Sequence, residues 1–480
     1  MSLITILIYV GVIALFATAA SYFYHKTINI LISFLQYFCG FLFIFSGFVK
    51  AVDPLGTAFK MEDYFAQFEF VAQGSFLSPI ASIFPFLSHY SLVFALFTIV
   101  LEILLGIMLV IGSKPKFTAW AFFILMVFFT KLTGFTYLTG YVPADVNFFE
   151  FSKWGAFNAG NMKVTDCGCF GDFIVLVPKI SFFKDLFLMI PAILFLFMNR
   201  KFHRLFTPKL RQYILLISIA VITLFCLYNT YMNEPIIDFR PFKNGTQVRD
   251  LRAAELKAAA EVPVTVVLTP KAGGNKISIS QAEYAKRWKE FPKTDYNFEQ
   301  LQGEPLIART KLSDFTISDL NNQDITENIL ESPGYTLMVV NYHVPYDWTE
   351  KTIERSDTLL DPTDSTKAAK ISTVTAKELV KAWDPVWLKN YRSQIIPILN
   401  EAEKQQIKTI NVFAGISSDE IREVIQSLGK EMNAAEADDK LLKTMIRSNP
   451  GIILWKDGKI IRKFHEATHP DWKSISKYLK

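Results

Sequence analysis

The sequence predicts a membrane α-helical bundle of about six spans followed by an extracytoplasmic α/β domain. Two observations carry the first half of this prediction. The first 231 residues are strongly apolar and rich in Phe, whereas the rest is mixed and charged like an ordinary soluble domain. A bilayer core takes about 20 apolar residues per helix, and the stretches 4–24, 29–50, 90–112, 117–140, 181–199 and 212–231 all qualify. A third observation carries the second half: strand-like and helix-like periods alternate through the last third of the chain.

Composition narrows the function classes. The net charge of +5 is unremarkable for 480 residues. No Lys/Arg stripe tracks a phosphate backbone, so nucleic acid is not an expected partner. No repeat is visible. The first apolar stretch lacks a basic n-region and is long for a signal peptide, so it reads as a retained span.

Orientation follows from the short loops. His25 and Lys26 follow span one, Lys114 and Lys116 follow span three, and Arg200, Lys201, Arg204, Lys209 and Arg211 follow span five; none of these loops has an acid. The loops 51–89 and 141–180 mix acids with bases. The basic loops are therefore expected on the cytoplasmic side. Both termini and the loop 141–180 are then expected outside.

That outer loop contains DCGCFGD (166–172), with two of the four cysteines. Outside the cytoplasm thiols meet an oxidising environment. Cys167 and Cys169 are separated by Gly168 alone, and a turn there is needed to bring their Cα atoms into disulfide range. The strained ring that results suits exchange better than stapling. A structural cross-link, a metal pair and inert thiols are the competing readings. A metal pair needs further ligands, and the nearest outer histidine, His89, is far along the chain; no metal is expected. Asp166 and Asp172 would raise a thiol pKa, and Lys163 would lower it. Cys39 and Cys226, inside spans, read as small hydrophobes.

Two charges fall inside spans. Glu102 is near the middle of span three and Lys131 just past the middle of span four. Counted from the loop joining them, they differ in depth by about 6 Å, within reach of long side chains. They are expected to face the bundle interior as a pair, either gluing two helices or flooring a small-molecule pocket. The absence of an inverted repeat makes a transporter the weaker class.

These residues together resemble a known group. SGFVKAVDPLGTAFKMEDYF (46–65) is similar to the DoxX-type signature. LEILLG (101–106), CGCFGD (167–172) and the Lys184–Asp185 dipeptide add a resemblance to the MauE/DoxX branch, over roughly 30–200. The resemblance implies a four-helix membrane core, here spans two to five. It also implies thiol-disulfide chemistry linked to a quinone, with periplasmic proteins as clients. The expected regions are an extra span (1–28), the bundle (29–200), a sixth span (201–232), an unplaced small region (233–310) and an α/β domain (311–480). The combination resembles inner-membrane proteins of Bacteroidetes.

The tail has its own resemblance. KLSDFTISDLNNQDIT (311–326) reads as a hairpin turning at Asn321–Asn322, and YTLMVVNY (335–342) and KTINVFA (408–414) as buried strands. VWLKNYRSQIIPILNEAEKQQ (386–406) reads as an amphipathic helix, and SSDEIREVIQSLG (417–429) as one with a Ser cap and a closing glycine. SNPGIILWKDGKIIRKF (448–464) reads as two strands around Asp457–Gly458, and a last helix begins near Asp471. This order resembles the thioredoxin-like fold of the TlpA and peroxiredoxin kind, with Pro450 as its cis-proline. The stretch VVNYHVPYDWTE (339–350) places Asp347 and Glu350 where that family's two cysteines stand, so the domain itself lacks a thiolate for exchange. An insertion (351–385) is expected before the following helix.

The sequence thus favours an inner-membrane protein whose Cys167 and Cys169 pass electrons from a periplasmic dithiol to a quinone, with the tail docking a periplasmic partner. The alternative is a non-enzymatic scaffold whose cysteine pair is structural.

Overall fold

The protein is described from a computed structural model, which covers residues 2–271, 273–292, 294–303, 305–361 and 364–479. The chain divides into two compact units, Met1–Arg240 and Pro241–Lys480.

The first unit is helical. Its elements are α1 (Leu3–Phe23), α2 (Ile30–Val52), α3 (Pro54–Gln73), α4 (Ile83–His89), α5 (Ser91–Ile111), α6 (Pro115–Thr139), α7 (Pro178–Met198) and α8 (Pro208–Tyr231). Among the described residues six helices are long and apolar enough to cross a membrane: α1, α2, α5, α6, α7 and α8. Their starts are written in the sequence. Side chains of Ser2, Asn29 and Thr207 accept the first free backbone N–H groups of α1, α2 and α8. Proline opens α3, α6, α7 and α8, where its missing N–H costs nothing.

The core of this unit is formed largely by α2, α5, α6 and α7, with Phe43, Leu105, Phe122, Leu188 and Phe195 buried in it. Helices α2 and α5 meet most closely at Gly40 and Gly106. A Cβ on Gly106 would lie 2.7 Å from the Gly40 carbonyl oxygen, so only glycine permits this backbone approach. Helix α3 was not expected. The mixed composition of 51–89 predicts a loop, but Asp53 caps α3 through the Gly56 N–H, and Tyr64 and Val71 are buried.

The basic connections gather at one end. Tyr37 bonds the Ser21 hydroxyl and stacks on His203 at 4.3 Å between ring centroids. Gln36 accepts the His203 N–H, and Arg211 donates to the Gly112 carbonyl at 3.1 Å. The loops after α1, α5 and α7 are thereby tied together, opposite the end that carries residues 140–177.

The second unit begins with α9 (Val248–Ala260). A small antiparallel sheet follows: β1 (Val264–Pro270), β2 (Ile277–Ser280), α10 (Gln281–Arg287) and β3 (Tyr296–Gln302), in the order β2-β1-β3. Next come β4 (Ile317–Asp319), α11 (Thr326–Leu330), β5 (Tyr335–Asn341), β6 (Tyr346–Asp361), β7 (Asp364–Trp383), α12 (Pro385–Asn390), α13 (Ile396–Lys404) and β8 (Lys408–Phe413). The chain closes with α14 (Ser418–Leu428), β9 (Ala434–Ala437), α15 (Asp439–Met445), β10 (Gly451–Lys456), β11 (Lys459–His465) and α16 (Trp472–Ser476).

The larger sheet runs β11-β10-β5-β8-β9-β4, with β5, β8 and β9 parallel and the other pairs antiparallel. It is buried on both faces, because successive side chains alternate across it. Met338 and Val340 of β5 join a core with Phe242, Val248 and α15, while Leu337 and Val339 join one with α12, α13, α14 and α16. Residues 241–260 therefore belong to this body, and only the small sheet matches the separate region expected over 233–310.

Local signals read from the sequence hold at several points. Asn322 has φ 61° at the turn after β4, Ser417 and Glu420 form a capping box on α14, and Gly429 ends it at φ 72°. Asp457 and Gly458 both take positive φ between β10 and β11. The Asn449–Pro450 peptide bond is cis. Asp347 and Glu350 lie in β6, opposite Ala382 and Leu379 of β7, and the ribbon these strands form stands where the insertion over 351–385 is expected. Glu350 there pairs with Lys377 at 2.9 Å on an exposed face. Residues 362–363 lie outside the described residues.

Candidate functional site

The loop after α6 folds back onto the end of the bundle and carries the cysteine pair inward. Its turn is local chemistry. The Asp166 carboxylate accepts the Gly168 N–H at 3.2 Å, Gly168 sits at φ 60°, and the Gly171 N–H donates to the Gly168 carbonyl at 3.1 Å. A side chain at Gly168 would be strained at that φ and would press on Lys60, whose Cγ lies 3.1 Å from the Cβ position. The expected turn between the thiols is present.

Three contacts lock this turn against the helices. Lys60 of α3 donates to Asp166 at 3.0 Å and lies 3.5 Å from Asp63. Ser46 of α2 donates to the Cys169 carbonyl at 2.8 Å. Phe170 is buried in the bundle core, with the Lys184 ammonium 5.8 Å from its ring centroid. Cys167 is buried and Cys169 half-buried, and both are free thiols.

Beneath the turn lie two buried ion pairs. Lys50 of α2 donates to Glu102 of α5 at 2.6 Å, with side chains only 9% and 3% exposed. Lys184 donates to Asp185 at 2.6 Å, and Asp185 also accepts from the Thr133 hydroxyl of α6 at 3.0 Å. Both pairs act electrostatically on Cys169. The phenol of Tyr64, which accepts from Thr136 at 3.3 Å, feels both cysteines.

The expected Glu102–Lys131 pair is corrected by this geometry. Lys131 is exposed on the outer surface of α6. It lies five residues beyond the buried Met126, a turn of about 140° at about 100° per residue. Depth along the helices was matched, but direction around them was not. Lys50 stands two residues before the end of α2, within the motif SGFVKAVDP that carries the DoxX-type resemblance.

Electrostatics at the turn are dominated by burial. Burial pushes the Cys167 thiol from 9.0 to about 12, with the neighbouring Cys169 and Asp166 adding to the rise and Ser181 drawing it partly back. Cys169 is raised too, first by burial; Lys184 and Lys50 pull it down against Asp185 and Glu102. The lysines that act on Cys169 are thus Lys184 and Lys50. Lys60 is held above its ordinary value: burial opposes its charge, and the carboxylates of Asp166 and Asp63 outweigh that.

Among the described residues no group of three or more His, Cys, Asp and Glu could hold a metal ion. Cys39 and Cys226 are buried in the spans, each in an apolar cluster. In the second unit, Asn449 beside Pro450 bonds both backbone groups of His343, at 3.2 and 2.6 Å, in the loop after β5.

No curated protein and no solved structure matches the chain. Residues 28–144 match the family described as methylamine utilisation protein MauE. That interval contains α2 to α6, and with them Lys50, Lys60 and Glu102, so this part of the chain is similar to the MauE family.

Proposed function

We propose that the first unit is a thiol–disulfide oxidoreductase of the inner membrane, working through Cys167 and Cys169 on the periplasmic side. The oxidised pair would accept two electrons and two protons from a client dithiol, leaving a client disulfide and two protein thiols. A quinone would take the same electrons and protons, restoring the pair and leaving a quinol. The observation that carries the reading is the placement of the turn. The bundle's polar side chains on α2, α3, α5, α6 and α7 converge on one cysteine-bearing loop. A loop that only needed tightening has no use for two buried ion pairs, which cost desolvation energy.

The second unit would serve as a docking domain for a periplasmic partner. Its parallel β5–β8 pair flanked by the β10–β11 hairpin supports a thioredoxin-like reading, and its lack of cysteine restricts it to binding. The similarity to the methylamine utilisation protein MauE family adds a context of methylamine utilisation.

A second reading, a structural scaffold, is favoured by one observation. Both thiols are raised by burial, so neither is a strong nucleophile in this conformation. Single Cys167→Ser and Cys169→Ser variants separate the two. An exchange couple leaves a mixed disulfide with its partner on a non-reducing gel. A structural pair leaves none.

A further inference from the structure

The end of the bundle opposite the cysteine turn carries positive charge that no neighbouring acid offsets. The loops after α1, α5 and α7 are basic, and no Asp or Glu occurs in 24–29, 112–118 or 199–213. The first acids back along α5 and α7, Glu102 and Asp185, are engaged in buried pairs with Lys50 and Lys184. Backbone packing gathers three of the bases around Gly112. Arg211 donates to the Gly112 carbonyl at 3.1 Å. The Arg204 Cα lies 3.1 Å from where a Cβ on Gly112 would stand, and Lys114 follows Gly112 by two residues. The Leu205 N–H donates to the Ile111 carbonyl at 3.1 Å, which fixes the two loops together. Arg204 and Lys114 are exposed, and Arg204 is close enough to Arg211 to repel it. Like charges held together in this way are stabilised by an external anion.

We propose that Arg204, Arg211 and Lys114 bind the phosphate headgroup of an acidic phospholipid. The guanidinium fork matches phosphate oxygens in pairs, and a lysine adds a compact charge beside it. The level of the cluster points to a lipid. Tyr24, Phe117, Trp120, Phe206 and Tyr213 are exposed at the same end, and Trp and Tyr concentrate where a bilayer meets water. The cluster therefore stands at the depth of lipid phosphates. Beside it, Leu210, Ile217, Val221 and Leu224 recur at helical spacing on one exposed side of α8. That side takes the acyl chains of a lipid whose phosphate rests on Arg204 and Arg211. A small anion from solution would use the charges and leave the apolar side without a role.

The test titrates the full chain in detergent with phosphatidylglycerol or phosphatidylcholine and counts bound lipid by native mass spectrometry. The first phosphatidylglycerol should bind about tenfold more tightly than the first phosphatidylcholine. Arg204→Gln and Lys114→Gln change exposed side chains and leave the Arg211–Gly112 bond in place. Each should cut that preference about fivefold, the effect of one basic residue at a charged surface. Lys163→Gln removes an exposed charge from the loop at the opposite end and should change nothing. Equal binding of the two lipids by the unmutated protein overturns the site and leaves the basic loops to a soluble acidic partner. An equal loss in Lys163→Gln overturns it as well, because it marks attraction to the protein's overall charge. So does equally tight binding of glycerol phosphate, the headgroup without its chains, which assigns the cluster to a free anion.

Discussion

Lys50 and Glu102 meet at 2.6 Å inside the bundle and join α2 to α5 directly beneath the cysteine turn. Removing one partner strands a buried charge, which costs about 3–5 kcal/mol. Lys50→Met and Glu102→Leu should each lower the thermal midpoint of the purified protein sharply. The double variant should recover most of the loss, because no lone charge remains. Lys131→Met should leave the midpoint unchanged. A double variant as unstable as the sum of the singles would contradict the pairing.

The hold of Lys60 on Asp166 predicts how the thiols become reachable. Lys60→Met should free the turn from α3 without touching either cysteine. Maleimide labelling of the reduced protein should then speed up at Cys167 and Cys169, while Cys39 stays protected. Unchanged labelling rates would show that Lys60 does not restrain the turn.

Alkylation should also report the burial of Cys167. Its thiol is pushed to about 12, so the thiolate fraction keeps growing throughout the alkaline range. The rate of iodoacetamide reaction in a Cys169→Ser background should rise about tenfold per pH unit from pH 7 to 10, without the plateau near 9 of an ordinary thiol. A plateau at or below pH 9 would place Cys167 in water.

His203, at the opposite end of the bundle, makes the fold sensitive to acid. It is packed against Tyr37 and its Nε2 lies 2.8 Å from the Val110 carbonyl oxygen. Burial pulls its pKa from 6.5 to about 4, with the Val110 carbonyl raising it only partly. Between these values the unfolded chain binds a proton that the folded protein excludes. Stability is therefore full above about pH 6.5 and falls as pH drops through 4, by about 3 kcal/mol at 1.36 kcal/mol per unit. His203→Gln should flatten this part of the pH–stability curve. A curve with the same slope in variant and parent assigns the acid sensitivity elsewhere.

The six spans could be read from the sequence because length and apolarity suffice for a lipid-facing helix. Their starts were less legible: α6, α7 and α8 begin at Pro115, Pro178 and Pro208, ahead of the apolar stretches that start at 117, 181 and 212. The strands β5 and β8 were legible as short apolar runs, and α14 as a cap-to-glycine segment. Helix α3 was not, because its polar residues looked like loop composition. They are polar for a reason visible only in three dimensions: Lys60 faces the cysteine turn, while Tyr64 and Val71 face the core. The resemblance places Asp347 and Glu350 at cysteine positions ahead of an insertion (351–385), and the ribbon of β6 and β7 stands there. At the site, the two cysteines and their glycine turn were legible. The partners were not, since Lys50 and Lys184 reach the turn from other helices, and sequence spacing holds no record of which way a helix faces.

The central claim is that Cys167 and Cys169 form a couple that cycles. Its most direct test is the redox state of the pair in living cells, fixed by acid quenching and counted by mass-tag maleimide in a Cys39→Ala/Cys226→Ala background. The account predicts a mixture of dithiol and disulfide that shifts to dithiol when quinone turnover is blocked and to disulfide when it resumes. A pair that stays in one state under both conditions, with Cys167→Ser trapping no partner, would contradict it and leave the bundle as a scaffold.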